Sequence, residues 1–228
     1  MGNMLTPTIS ERWLEAFLEA IQNYDKSRAQ SLIQEAFQFY DPEDVCMQLI
    51  QPALYTIGDL WHRQELSWVK ENMASALIYQ EVMRSLKSIT LPVSGPRIFM
   101  CGVPEETHQI GLLILALFWR RSGLNIHYHG TVRTMNELLQ AIQQESAQIV
   151  CLSAMTEHRA RTLIPISHQL RQLGPYPPVL CYGGGAFSQP NPLQQEIYGY
   201  SLGPNAVIAT KNIYILLERL SGASATPV

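Results

Sequence analysis

RIFMCGVPEETHQIGLLILALFWRR, residues Arg97–Arg121, is the stretch from which the fold can be read. The apolar run Arg97–Val103 has the length and composition of a buried strand, and Ile110–Arg121 reads as a helix. Between them PEETHQIG, Pro104–Gly111, is a turn that carries an imidazole, His108, two positions after a carboxylate, Glu106. The alternation recurs downstream. Strands are expected at Asn125–Tyr128, Gln148–Ala154 and Pro178–Tyr182, with a weaker one near Gly199–Leu202. Helices are expected at Met135–Glu145, Ala160–Leu173 and Lys211–Leu220. Repeated β/α order specifies a parallel sheet covered on both faces. Such sheets bind ligands outside the carboxyl ends of their strands, so His108 is expected at the binding edge.

Upstream the period changes. Residues 8–90 read as a four-helix bundle. Thr8 and Glu11 form a capping-box pattern ahead of Trp13, Phe17 and Ile21, and a second helix runs from about Lys26 to Tyr40. A third opens at Asp41-Pro42, with Cys46, Leu49, Ile50, Ala53, Leu54, Ile57, Leu60 and Trp61 as its apolar stripe. After the polar break Arg63-Gln64-Glu65, a fourth spans roughly Ser67–Ser88. Pro, Gly and Ser within Ser88–Pro96 mark a linker, placed at 91–96, before an α/β domain at 97–222.

Composition narrows the function. With 46% apolar and 15% charged residues, the 228-residue chain builds a large core and is not disordered. A net charge of -3 without a Lys/Arg stripe argues against direct nucleic-acid binding. The four cysteines are scattered without a CxxC pair, and three lie in strand-like runs, which makes buried thiols the expectation. No apolar stretch approaches 18 residues and no secretory signal is evident, so no membrane span is expected and a cytoplasmic location is.

The turn after the first strand has neither the GxGxxG of a dinucleotide site nor the GxxxxGK of a P-loop. The carboxyl edge offers His108 instead, then Ser153, then Gly183-Gly184-Gly185. Forty-one residues separate Gly111 from Ser153, and twenty-seven separate Met155 from Gly183. A neutral imidazole is a good donor to a transition metal, and a nearby carboxylate fixes its tautomer and basicity. Glycines and a small serine leave room for a bulky group to approach backbone.

The order Asp-x-His-x-x-Gly, Ser-x-Leu, Gly-Gly at these intervals resembles the signature of the base-off, His-on cobalamin-binding domain. Here it reads Glu106-Thr107-His108-Gln109-Ile110-Gly111, Ser153-Ala154-Met155 and Gly183-Gly184, with Glu106 for Asp and Met155 for Leu. The resemblance implies a Rossmann-like (flavodoxin-like) domain in which His108 is the lower axial ligand of cobalt and Glu106 orients it. Ser153 and Gly183 to Gly185 would then hold the nucleotide tail of the corrinoid.

The tip of the third and fourth helices carries a second resemblance. Trp61 and Glu71 match the Trp-x9-Glu-His motif of the light-sensing, adenosylcobalamin-dependent (CarH-like) transcriptional regulators, with Asn72 in place of its final His. That resemblance implies a bundle capping the upper face of the corrin through Trp61, His62, Glu71 and Asn72. His62 is the candidate to take the upper position once the upper ligand is lost. Adenosylcobalamin is the expected form, with methyl- or hydroxocobalamin open, and a bilin beside or instead of cobalamin is also open. Only about nine residues precede the bundle, so output is expected through a protein partner, a repressor or other regulator, in the manner of an antirepressor. A homo-oligomer is compatible with this reading. The reading from another class is a corrinoid methyl-carrier subunit of a methyltransferase system, an enzyme component where the sensor would be none.

His127 and His129 share a strand face but show no third ligand nearby in sequence, so a metal there is not expected. Glu157-His158 reads as a solvated helix start, and Ser221–Val228 as a frayed tail.

Overall fold

The computed structural model describes residues 9–223, and the chain divides into two compact units at Ile89/Thr90. The proposed Thr8–Glu11 capping box involves Thr8, outside the described residues. The residue at the N-cap of the first helix is Ser10, without a side-chain cap.

The first unit is helical: α1 (Glu11–Gln22), α2 (Lys26–Phe39), α3 (Pro42–Asp44), α4 (Gln51–His62) and α5 (Trp68–Lys87). Asp41 caps α3 by accepting from Glu43 N, as the Asp-Pro pair implies. A π-helical stretch, Val45–Ile50, joins α3 to α4 just ahead of Pro52, whose missing N–H interrupts a regular α ladder. The expected stripe is buried at Cys46, Leu49, Ile50, Ala53 and Ile57. It fails at its end: Trp61 is 42% exposed. One carboxylate is built into this unit. Glu81, 2% exposed, has an Oε1 that accepts from Gln30 Nε2, Gln34 Nε2 and Arg84 Nη2, each at 3.0 Å, which ties α2 to α5.

The second unit is a five-stranded parallel sheet in the order β2-β1-β3-β4-β5, from β1 (Ser94–Gly102), β2 (Leu124–Gly130), β3 (Ile149–Ser153), β4 (Val179–Gly183) and β5 (Tyr200–Ser201). The helices are α6 (Ile110–Arg121), α7 (Met135–Gln144), α8 (Glu157–Ala160), α9 (Leu163–Leu170) and α10 (Ala206–Ala223). Ser94–Pro96, expected as linker, extends β1, and Ser94 pairs with Leu124. The single helix expected at Ala160–Leu173 is two. Pro165 has no N–H to donate to Arg161, so the chain restarts with proline in the first turn of α9. The last helix begins earlier than expected because Asn205 Oδ1 accepts from Ile208 N at 3.0 Å.

Central strands buried on both faces read as continuous apolar runs. Phe99, Cys101, Val150, Leu152, Leu180 and Tyr182 form one face, packed with Leu138, Ile142, Leu163, Ile166 and Leu170. Every residue from Leu112 to Trp119 of α6 is buried, and the Trp119 indole donates to Thr210 Oγ1 of α10 at 3.1 Å. Each such large apolar side chain contributes roughly 1.5–3 kcal/mol on full burial.

Candidate functional site

Strand order 2-1-3-4-5 reverses direction between β1 and β3, which makes their carboxyl ends the switch point. Gly102, Ser153 and Gly183 stand in register across β1, β3 and β4. Beyond them Val103 N donates to Ser153 O at 2.9 Å, and Ala154 N donates to Gly183 O at 3.0 Å. Two of the three sequence segments, the His108 turn and the Ser153 loop, thus flank the switch, and the glycine run lies beside the second.

Glu106 links the first two. It is 2% exposed. Its Oε1 accepts from His108 N at 2.9 Å and lies 2.7 Å from His108 Nδ1, while Oε2 accepts from Met155 N at 2.8 Å. A side chain on Gly102 would meet Glu106 Cβ at 2.9 Å, so the bare strand end makes room for the acid. Burial pushes the Glu106 carboxyl up, but the amide N–H groups of Met155 and His108, and then the His108 ring, outweigh it and hold the pKa below the usual range. An ionised carboxylate only accepts, so Nδ1 of the neutral ring carries the proton and Nε2 keeps the lone pair. The His108 side chain is 62% exposed. A buried acid therefore presents an exposed imidazole in one tautomer.

The glycines have different origins. Gly184 has φ +104, and a Cβ there would lie 2.3 Å from Ala154 O. Gly185 lies under Met155, whose Sδ would be 2.5 Å from an added Cβ. Gly184 is required by the backbone it packs against, whereas at Gly185 the two closest atoms belong to the flexible end of the Met155 side chain. Gly183 is in ordinary contact only, its nearest atom the Gly203 O at 3.8 Å, and Gly111 faces open space with nothing within 4 Å.

In the helical unit, Trp61 and His62 end α4 with ring centroids 5.0 Å apart. Glu71 accepts from Ser75 Oγ at 2.9 Å, and Asn72 turns its amide back onto Trp68 O at 2.9 Å. The loop 63–67 is held by Glu65 N and Leu66 N, both donating to Leu60 O, with Leu66 buried.

Sequence reasoning missed several partners. Glu145 lies 2.9 Å from His127 Nδ1 and 3.6 Å from His129 Nε2. Among the described residues no group of three or more His, Cys, Asp or Glu side chains is placed to hold a metal ion. Glu157 pairs with Arg161. Glu105 in the His108 turn pairs with Arg159 at 2.6 Å, across fifty-four positions that no local pattern spans. All four cysteines are buried: Cys101, Cys151 and Cys181 in the strand-like runs that implied it, and Cys46 in the π-helical stretch of the first unit.

Residues 13–85 and residues 96–206 each match a family model described as a B12 binding domain. The chain belongs to the B12-binding proteins. It is 26% identical over 177 residues to the HTH-type transcriptional repressor CarH of Myxococcus xanthus, covering 78% of this chain and 59% of that protein. To the repressor CarA of the same organism it is 24% identical over 172 residues, 75% of this chain and 58% of that one. The B12-binding chain thus spans less than two thirds of either relative. Among solved structures, the monomethylamine corrinoid protein of Methanosarcina barkeri aligns with TM-score 0.68 at 15% identity, covering 91% of this chain and all of that one. The methanol:cobalamin methyltransferase complex MtaBC of Methanosarcina barkeri aligns with TM-score 0.50 at 17% identity, over 95% of this chain and 86% of that one. At these identities the likeness is one of fold. No helix among the described residues of the B12-binding chain is long and apolar enough to cross a membrane.

Proposed function

We propose that the chain is a cobalamin-dependent light sensor that regulates transcription through a protein partner. The two B12 binding domains make its cofactor a corrinoid. The donor set fits one. A ring nitrogen held in one orientation by a buried carboxylate could ligate a corrin-held cobalt, and the open space at Gly111 leaves backbone approachable beside it. The observation that carries the reading is the pairing of buried Glu106 with exposed His108 at the switch point. His108 would ligate cobalt, Glu106 would fix its tautomer, and Ser153, Met155 and Gly183 to Gly185 would line the tail site. Trp61, His62, Glu71 and Asn72 would serve the upper side. When bound, an alkylated corrinoid supplies a cobalt–carbon bond that light cleaves.

The regulatory role is supported by the repressors this chain resembles over three quarters of its length. Action through a protein rather than on DNA is supported by a charge near balance and the lack of a basic stripe. A thioether-held bilin finds little support. All four thiols are buried, and burial pushes those of Cys101 and Cys181 up to about 12. The methyl-carrier reading draws on Asn72: the last position of the Trp-x9-Glu-His pattern holds an amide, bonded to Trp68 O of its own helix, in place of an imidazole.

Purification in darkness, loading with adenosyl- or methylcobalamin, and absorbance and gel filtration before and after green light separate the two. A persistent change in spectrum and size is expected. Photochemical silence, with methyl transfer to a thiol acceptor in the presence of a partner methyltransferase, would establish the carrier instead. His108→Ala is expected to weaken binding and change the bound spectrum.

A further inference from the structure

Glu105 immediately precedes the acid that orients His108, and it sits at φ +63, a left-handed backbone that side chains other than glycine, asparagine and aspartate seldom adopt. Such outliers persist where their surroundings over-determine them, and they concentrate at ligand sites. Here the surroundings are explicit. Glu105 N donates to Val132 O, in the loop after β2, at 2.8 Å. Its carboxylate receives Arg159 Nη1, from α8 beyond the Ser153 loop, at 2.6 Å.

Arg159 is itself anchored. Its backbone N–H donates to the Thr156 hydroxyl at 3.3 Å, its side chain is 29% exposed, and Ala160 beside it is fully buried. From Thr156 the chain runs back through Met155, whose amide holds the other oxygen of Glu106. Two consecutive carboxylates in the His108 turn therefore grip the same loop at two points, Met155 N and the Arg159 guanidinium.

The Glu105 side chain is 66% exposed, so its half of the pair is solvated and the pair adds little to stability; fold maintenance alone does not account for it. We propose that Arg159 and Glu105 form a positioning clamp that sets the orientation of the His108 imidazole for axial ligation. The clamp deepens the cobalamin reading and rests on His108 being the lower ligand. Neither residue is a ligand. With the clamp open, the turn retains the Glu106–His108 bond but gains freedom about Glu105, so the lone pair on Nε2 is presented over a wider cone.

The test uses the full chain with hydroxocobalamin as probe. Arg159→Gln, Glu105→Gln, Glu105→Gly and the charge-exchanged double variant Glu105→Arg/Arg159→Glu are titrated, with the absorbance band of imidazole-ligated cobalt and the melting temperature of the cofactor-free protein as readouts. The single variants are expected to bind about threefold to tenfold more weakly, less than the about 10- to 100-fold that loss of a ligand's direct partner brings. They are expected to show a smaller imidazole-ligated fraction, with melting within about 2 °C of the parent. The exchanged pair is expected to recover most of the ligated fraction. Glu105→Gly discriminates further: it relieves the backbone yet should still lose ligation. Unchanged affinity and spectrum in the single variants overturn the clamp while leaving the axial assignment standing. So does a loss of affinity matched by a drop in melting temperature, which would mean a structural role. If the parent itself lacks the imidazole band, or His108→Ala leaves it in place, the lower-ligand reading falls and the clamp falls with it.

Discussion

Glu106 and His108 are two residues apart and occupy opposite environments: the carboxylate side chain is 2% exposed, the imidazole 62%, and Oε1 lies 2.7 Å from Nδ1. Three hydrogen-bonding partners converge on that acid, and two of them are backbone amides. Glu106→Gln keeps the shape but turns one acceptor into a donor that faces N–H groups. The expected result is an apo protein less stable by about 1–3 kcal/mol in urea denaturation. Corrinoid affinity is expected to fall about 10- to 100-fold, because the imidazole loses its tautomer lock. Glu106→Asp separates the two roles. One methylene shorter, it is expected to keep the His108 contact and release Met155 N, with affinity falling less than in the glutamine variant. Equal affinity loss in both would show that the reach of glutamate to Met155 N matters as much as its charge.

Glu81 makes a second buried carboxylate with a different logic, since its cationic partner Arg84 has a side chain 55% exposed. Glu81→Ala leaves the Gln30 and Gln34 amides facing a void and is expected to cost about 2–4 kcal/mol. Glu81→Leu fills that volume while Arg84 swings into water, so it is expected to recover most of the loss, as apolar replacements of buried ions often do. Urea midpoints of the two variants give the comparison. A leucine variant no better than alanine would mean that the Gln30 and Gln34 amides, rather than the filled volume, hold α2 against α5.

How much of this was legible beforehand follows from the range of each interaction. Ile110–Arg121 was readable as α6 because helix signals are local, and so were the β/α order and the three carboxyl-edge segments. The π-helical stretch at Val45–Ile50 and the break before α9 were not, although Pro52 and Pro165 were the available signals. Trp61 fitted the apolar period yet ends up exposed, because the stripe outlasts the surface that buries it. The Arg159–Glu105 pair and the Met155 amide on Glu106 join residues about fifty positions apart, and only the register of β1 with β3 brings them together.

His129 gives a pH dependence that can be isolated. Burial holds its imidazole below the ordinary pKa, with Glu145 pulling up and His127 pushing down more weakly. Phe99 stacks on the ring at 4.3 Å, and Arg97 lies 3.9 Å from the Glu145 carboxylate. The unfolded chain takes up this proton first, near pH 6.5, so the folded state loses stability as pH falls from there through the folded value and then levels off. In urea midpoints measured from pH 7.5 to pH 5, the parent is expected to fall more steeply than His129→Gln. The difference is bounded by about 1.4 kcal/mol per pH unit for one proton. Parallel profiles would assign the slope to other groups.

Gly184 and Gly111 separate a glycine required by the chain from one left open for a ligand. At Gly184, φ is +104 and an added Cβ would sit 2.3 Å from Ala154 O, a backbone atom that cannot yield without moving β3. Gly184→Ala is therefore expected to cost on the order of 3 kcal/mol or more, with or without cofactor. At Gly111 an added Cβ meets nothing within 4 Å, and the position lies in the first turn of α6. Gly111→Ala is expected to leave apo stability unchanged or to raise it by up to about 1 kcal/mol, through the lower chain entropy of alanine. If the corrinoid comes down onto that backbone, the same methyl group blocks it, and affinity should fall at least tenfold while the protein melts no earlier. A Gly111→Ala variant that binds hydroxocobalamin like the parent would place the cofactor elsewhere along the sheet edge. Stability and binding moving in opposite directions at one residue is a result that a purely structural glycine cannot give.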